Sequence, residues 1–355
     1  MSLPKLALTM GDVAGIGPEI IARLWNLDGF TRTCEPIVVG HPAVLERAMS
    51  LVGSRCSLKQ VRDLSASEAA PDQILCFNPA GDDARLVMPQ KSDARSGRAA
   101  YEYIKAATNA ALEGTIDGIV TAPISKLGLS LAKIPFPGQT ELLASLCGVS
   151  SSSMMLYLGR GVAQRVPEGL AVVHVTLHTS IRSVPDQLST AKIIERIQSL
   201  HDFLLPMIGQ TPRIGVCALN PHAGEEGLFG DEEQRLIAPA VEKARQQGVA
   251  ARGPFPADTL MMRACDGEFD GVVAMYHDQG HIAIKLVSFN AAVNITLGLP
   301  IIRTSPSHGT ATDIAWSGAA AADGMASAVQ VAVRLAEHRR SEMAATMKTW
   351  IPGQG

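Results

Sequence analysis

Three histidines stand where strand-like runs end: His178 after Val-Val-His-Val-Thr-Leu, His222 in Leu-Asn-Pro-His-Ala-Gly, and His277 in Val-Ala-Met-Tyr-His-Asp-Gln-Gly. Parallel strands deliver their carboxyl-end residues to one crevice. Three imidazoles in that position can share a divalent ion and leave coordination positions open for water or substrate. Asp278 and Asp258 are placed to orient the rings and to fix which nitrogen faces the metal. The competing reading is three separately hydrogen-bonded structural histidines. His174 and His281 are rival members, and the four-residue spacing of His174 and His178 puts both on one strand face, where one of them can simply be core.

A second set suits anions: Gln139, Thr140, Lys285, Asn294 and Arg303. Lys285 follows Gly-His-Ile-Ala-Ile and Arg303 follows Gly-Leu-Pro-Ile-Ile. A cation in so apolar a context is costly to bury unless an opposite charge meets it, and a substrate phosphate or carboxylate supplies one. Snorkelling to solvent is the alternative. Further on, His308-Gly309-Thr310-Ala311 with Asp313 lets a planar ligand approach backbone, and Asp313 can accept ribose hydroxyls. A helix start capped by Thr310 or Thr312 is the plainer reading. Near the start, Thr-Met-Gly-Asp-Val-Ala-Gly-Ile-Gly-Pro-Glu runs into a helix opened by Pro18. Backbone N–H groups there suit an anion, although the spacing matches neither the dinucleotide fingerprint nor the P-loop. A tight turn without ligand explains it equally well.

These residues need a scaffold, and the pattern supplies one. β-rich runs at 6–10, 36–39, 118–121, 171–176, 213–219, 271–275 and 293–297 alternate with helical patterns at 20–27, 43–51 and 99–112. That alternation predicts an α/β fold with largely parallel sheet. The 355 residues, 46% hydrophobic and 18% charged, suffice for two domains. With 31 basic against 34 acidic residues, an electrostatically driven nucleic-acid binder is excluded, as is a basic face for anionic lipid. The six cysteines at 34, 56, 76, 147, 217 and 265 have no metal-knuckle or redox-pair spacing and read as buried thiols. No signal peptide and no membrane-length apolar run is found, so a reducing cytoplasm and a small-molecule partner are expected.

Taken together, the segments TMGDVAGIGPEI, TAPISK, FPGQTE, LNPHAGEEGLFGDEE, PADTL, AMYHDQGHIAIKL and VNITLGLPIIRTSPSHGTATDIA resemble the 4-hydroxythreonine-4-phosphate dehydrogenase (PdxA-like) family. Gly-Ile-Gly-Pro-Glu and His-Gly-Thr-Ala-Thr-Asp-Ile-Ala are also similar to the isocitrate/isopropylmalate dehydrogenase group, which binds NAD without the dinucleotide fingerprint. The resemblance implies two α/β/α domains flanking a cleft: a cofactor-side domain from 1–135 with 300–355, and a substrate, metal and dimerisation domain from 136–299. It implies a divalent metal (zinc, magnesium, cobalt or manganese) on His178, His222 and His277, shared across a homodimer interface. Beside it, Asp258 and Asp278 are the expected catalytic carboxylates, and Asp258 and Lys126, which can equally be solvated, are the candidates for proton transfer. It further implies substrate contacts from Gln139, Thr140, Lys285, Asn294 and Arg303, and NAD at His308, Gly309, Thr310 and Asp313. The activity implied is NAD-linked oxidation of a phosphorylated hydroxy acid followed by decarboxylation of the β-keto acid. One departure stands out: Gly-Gln139-Thr-Glu replaces the family's usual Gly-His-Thr-Glu, and an amide can neither become cationic nor shuttle a proton. Several blocks are closer to the 4-phospho-D-threonate/4-phospho-D-erythronate branch. The altered Gln139 keeps open a terephthalate dihydrodiol type of substrate, and a non-catalytic binding protein on the same scaffold is the alternative of another class.

Overall fold

The first strand, β1 (Lys5–Thr9), is buried at every residue after Lys5, with no alternation of inward and outward positions. That is the signature of a parallel strand covered on both faces. The computed structural model describes residues 2–66, 70 and 72–349. The chain continues through α1 (Gly17–Leu24), β2 (Glu35–Val39), α2 (Pro42–Leu51), β3 (Ser57–Val61), β4 (Gln73–Phe77), α3 (Ala94–Leu112), β5 (Gly118–Thr121), α4 (Lys126–Leu131) and α5 (Gln139–Leu146). Asp93 starts α3 with a capping box, accepting from Arg95 and Ser96 N–H while the Ser96 hydroxyl takes the Asp93 N–H.

A second unit follows: β6 (Ser153–Leu158), β7 (Leu170–His174), α6 (Val184–Gln187), α7 (Thr190–Ile208), β8 (Ile214–Cys217), α8 (Ala238–Gln246), β9 (Ala251–Phe255), α9 (Ala257–Cys265), β10 (Gly271–Ala274), α10 (His277–Val287) and β11 (Val293–Leu297). The chain then returns to the first unit with β12 (Ile302–Pro306) and α11 (Asp323–Thr349), which packs on β12. The two compact units are Met1–Ser151 with Leu299–Gly355, and Ser152–Gly298. The boundary expected after residue 135 lies after 151, because α5 packs on α3.

In the first unit, strands run parallel in the order β3-β4-β2-β1-β5-β12. The chain leaves β1 to one side for β2 and later returns on its other side as β5, so the order reverses there. Ligands in such sheets bind outside the carboxyl ends at that reversal. In the second unit the order is β11-β6-β7-β10-β8-β9, with β6 antiparallel to both neighbours and the β7-β10-β8-β9 block parallel. Leu156, Val172, Phe269, Val272 and Ile284 are central to its core.

The topology therefore sets β7, β10 and β8 side by side, and the segments leaving their carboxyl ends carry His178, His277 and His222 in turn. Two local expectations change. β7 ends at His174, so His178 lies beyond the strand and the two do not share a strand face. No helix begins at Thr310 or Thr312: residues 312–318 form turns, and α11 starts only at Asp323.

Candidate functional site

In the second unit a cavity of about 430 Å³ is lined by Leu177, His178, Thr179, Ser180, Ile181, Val184, Tyr276, His277 and Asp278. The His178 and His277 ring centroids lie 5.9 Å apart. His277 opens α10, and its Nδ1 is 2.6 Å from Asp278 Oδ1. A carboxylate only accepts, so Nδ1 carries the hydrogen and Nε2 keeps the lone pair a metal needs. Asp258, by contrast, is exposed on the first turn of α9; the orienting carboxylate is Asp278.

Beneath His277, the ring of His281 stacks at 3.7 Å and 10°. His281 Nδ1 meets His174 Nε2 at 3.2 Å and the His277 carbonyl at 3.1 Å. Both inner rings are buried. Desolvation, then the neighbouring histidine, lowers His174 to about 3 and His281 to about 4, so both are neutral imidazoles. Gly280 makes this approach possible, since a Cβ there would stand 2.4 Å from His174 Nε2.

His222 does not join them within one chain: among the described residues, no group of three or more His, Cys, Asp or Glu converges to hold an ion. Its backbone explains its placement. His222, Ala223, Gly224, Glu225 and Glu226 all have φ between 42° and 81°, a run of left-handed turn that costs about 1–2 kcal/mol for each non-glycine residue. The buried Glu233 carboxylate offsets this, accepting from the N–H groups of Leu219 and Asn220, both at 2.8 Å, and from Asn220 Nδ2 at 3.0 Å. One chain thus brings two imidazoles, His178 and His277, to one cavity, short of a complete donor set for a divalent ion.

The anion-suited residues fall on both units. In the first, Arg303 on β12 is buried, and its Nη2 donates to Thr121 Oγ1 at 2.8 Å and to Gln139 Oε1. Thr121 in turn donates to Gln139 Oε1 at 2.7 Å, and Gln139 Nε2 donates to the Ala122 carbonyl at 2.9 Å. Burial lowers the guanidinium to about 10, still cationic at neutral pH. Thr140 is the next residue of α5. In the second unit, Lys285 Nζ lies 5.5 Å from the Phe289 ring, and Asn294 Oδ1 is buried with no hydrogen-bond partner among the described residues.

The glycine-rich loop after β1 is a packing device. Asp12 N–H goes to the Pro123 carbonyl, Gly15 N–H to the Asp12 carbonyl and Ile16 N–H to the Thr310 carbonyl. Gly11, at φ 68°, sits where a Cβ would meet the Pro123 carbonyl oxygen at 2.3 Å. Next to it, Gly309 has open space on its Cβ side and Asp313 is exposed. That fits a planar cofactor lying along the backbone. Sequence reasoning missed Thr121 and Glu233. Thr121 carried a signal as the last residue of a strand-like run, whereas Glu233 lay in an acidic stretch indistinguishable from solvated surface.

The sequence matches the family model described as pyridoxal phosphate biosynthetic protein PdxA over residues 32–332. It is 42% identical over 338 residues to the D-threonate 4-phosphate dehydrogenase of Salmonella typhimurium, covering 95% of this chain and 100% of that one. A crystal structure of 4-hydroxythreonine-4-phosphate dehydrogenase from Klebsiella pneumoniae is similar, with TM-score 0.83, 41% identity and 94% and 99% of the two chains covered. A terephthalate 1,2-cis-dihydrodiol dehydrogenase structure from Burkholderia xenovorans is more distant, with TM-score 0.63, 27% identity and 94% and 98% covered.

Proposed function

This chain belongs to the PdxA family, and from that premise we propose that it is an NAD-linked, divalent-metal-dependent dehydrogenase of a 4-phosphorylated hydroxy acid, of the D-threonate 4-phosphate or 4-hydroxythreonine-4-phosphate type. The observation that carries this reading is the end-to-end likeness to a dehydrogenase of a 4-phosphorylated acid. Arg303 supports it, since a buried cation suits a phosphate.

His178, His277 and, from a second copy, His222 would hold the ion. When bound, it would supply Lewis acidity that lowers the pKa of the substrate hydroxyl. His308, Gly309 and Thr310, with Asp313 as acceptor for ribose hydroxyls, would hold NAD, which when bound would supply the hydride acceptor. Arg303, with Gln139 and Thr140, orients the phosphate end, and Asn294 and Lys285 bind the remaining polar groups of the substrate. Asp278 keeps His277 in its ligating tautomer, and Asp258 is the candidate for proton transfer. Oxidation gives a β-keto acid, which then loses carbon dioxide.

A homodimer completes the site in this reading. The second unit presents an apolar stripe, Ile282 and Leu286 on α10 and Phe289 just beyond it, 57%, 80% and 54% exposed. The stripe lies on the outer side of the helix that His277 opens, turned away from the His277 face, and a second copy seated there is taken in this reading to bring the third imidazole.

Gln139 favours a second reading, a cis-diol dicarboxylate like the terephthalate dihydrodiol, because a neutral amide adds no charge toward a phosphate dianion. The test is NADH formation from D-threonate 4-phosphate, D-erythronate 4-phosphate, 4-hydroxythreonine 4-phosphate and the terephthalate cis-dihydrodiol, assayed side by side. Turnover of a phosphorylated acid is expected. Turnover of the dihydrodiol alone would transfer the assignment to the second reading, and binding without turnover of any substrate would make the chain a non-catalytic member.

A further inference from the structure

His277 is held by more than Asp278. Its ring lies flat on His281, which is itself pinned from two sides. A carbonyl oxygen can only accept, so the 3.1 Å contact from His281 Nδ1 to the His277 carbonyl puts the hydrogen on Nδ1. That same N–H points at His174 Nε2, which must then be the unprotonated nitrogen of His174. His281 thereby dictates the tautomer of His174, while Asp278 sets that of His277. His281 is not itself a ligand alongside His277. An ion sits in the plane of the ring that binds it, about 2.0–2.1 Å from nitrogen, and two parallel rings 3.7 Å apart share no such point.

We infer that His281, anchored by His174, is a positioning residue for His277: by stacking it fixes the ring plane that holds Nδ1 against Asp278, and Asp278 in turn keeps Nε2 as the open nitrogen. This rests on the reading of His277 as a metal-binding residue. Gly280 belongs to the same device, since only a residue without Cβ lets α10 lie close enough to β7 for the His174–His281 contact.

The test uses the full-length protein, stripped of metal and titrated with Co²⁺ alone, together with ¹⁵N-histidine spectra that report tautomers in the metal-free state. His281→Leu, which removes both the stack and the N–H donor, is expected to weaken Co²⁺ binding roughly 10- to 100-fold and to turn His277 from one tautomer into a mixture. His281→Phe keeps the stack, and His281→Asn keeps a donor near the Nδ1 position; each is expected to lose less than His281→Leu, and either one serves if the leucine variant fails to fold. Unchanged affinity and an unchanged single His277 tautomer in the folded variants would overturn the inference. His277→Ala separates the two claims. If it leaves Co²⁺ affinity intact, the metal reading fails, and the tautomer spectra alone then decide whether His281 positions His277.

Discussion

Arg303 has 3% of its surface exposed, and the fork of its guanidinium is shared between Thr121 and Gln139. A planar fork fixed on neutral oxygens is pre-organised to meet a doubly charged group without reorganising. Replacing it removes a charged hydrogen bond, worth about 1.5–3 kcal/mol. Arg303→Ala is therefore expected to raise KM for the 4-phosphorylated substrate roughly 10- to 100-fold, while a non-phosphorylated diol is affected far less, as steady-state kinetics would measure. Arg303→Lys keeps the charge and loses the fork, so it should recover only part of the effect. Equal losses on both substrates would remove phosphate recognition from this residue.

At the scale of elements, β7 and α10 are joined through neutral imidazoles, and that makes the second unit acid-sensitive. His174 is held at about 3 by burial, well below its usual value near 6.5. Between those values the unfolded chain binds a proton that the folded chain refuses, so stability rises with pH across this window and is lost as pH falls from about 6.5 toward 3. Urea midpoints at pH 7, 5.5 and 4.5 should fall steadily, and less steeply in His174→Leu; identical slopes would mean that His174 is not the titrating group. Much of this scale was legible in the sequence. β5 and β11 run over the residues their β-rich patterns predict, because short apolar runs between turn residues have few other structures open to them. The left-handed run at 222–226 was not legible. Of its non-glycine members only His222 is of a type enriched at φ above zero, Ala and Glu are not, and Glu233, several residues on, anchors Leu219 and Asn220 just ahead of it. The segment after β12 likewise reads as a helix start, yet Ile16 N–H binds the Thr310 carbonyl and Trp316 Nε1 donates to the Val13 carbonyl. Those long-range bonds tie it to the loop after β1.

For the whole molecule, the strand order places three histidine-bearing segments at neighbouring carboxyl ends, as alternation of strands and helices implied, while one chain brings only His178 and His277 to a common cavity. Local patterns specify a topology; they do not specify what a second copy adds. If a second copy supplies the third imidazole, Leu286→Glu, placing a charge in the α10 stripe, should convert a particle of twice the 37.5 kDa chain mass into a monomer by light scattering, with loss of metal affinity. A dimer that survives with its ion would place the interface elsewhere. Among the described residues no helix is long and apolar enough to cross a membrane. The most direct test of the account is NADH formation from D-threonate 4-phosphate by protein stripped with chelator, then reloaded with a divalent metal and assayed for metal content. The account predicts no turnover when stripped and recovery in proportion to bound ion. Full turnover in a sample shown to be metal-free would contradict it.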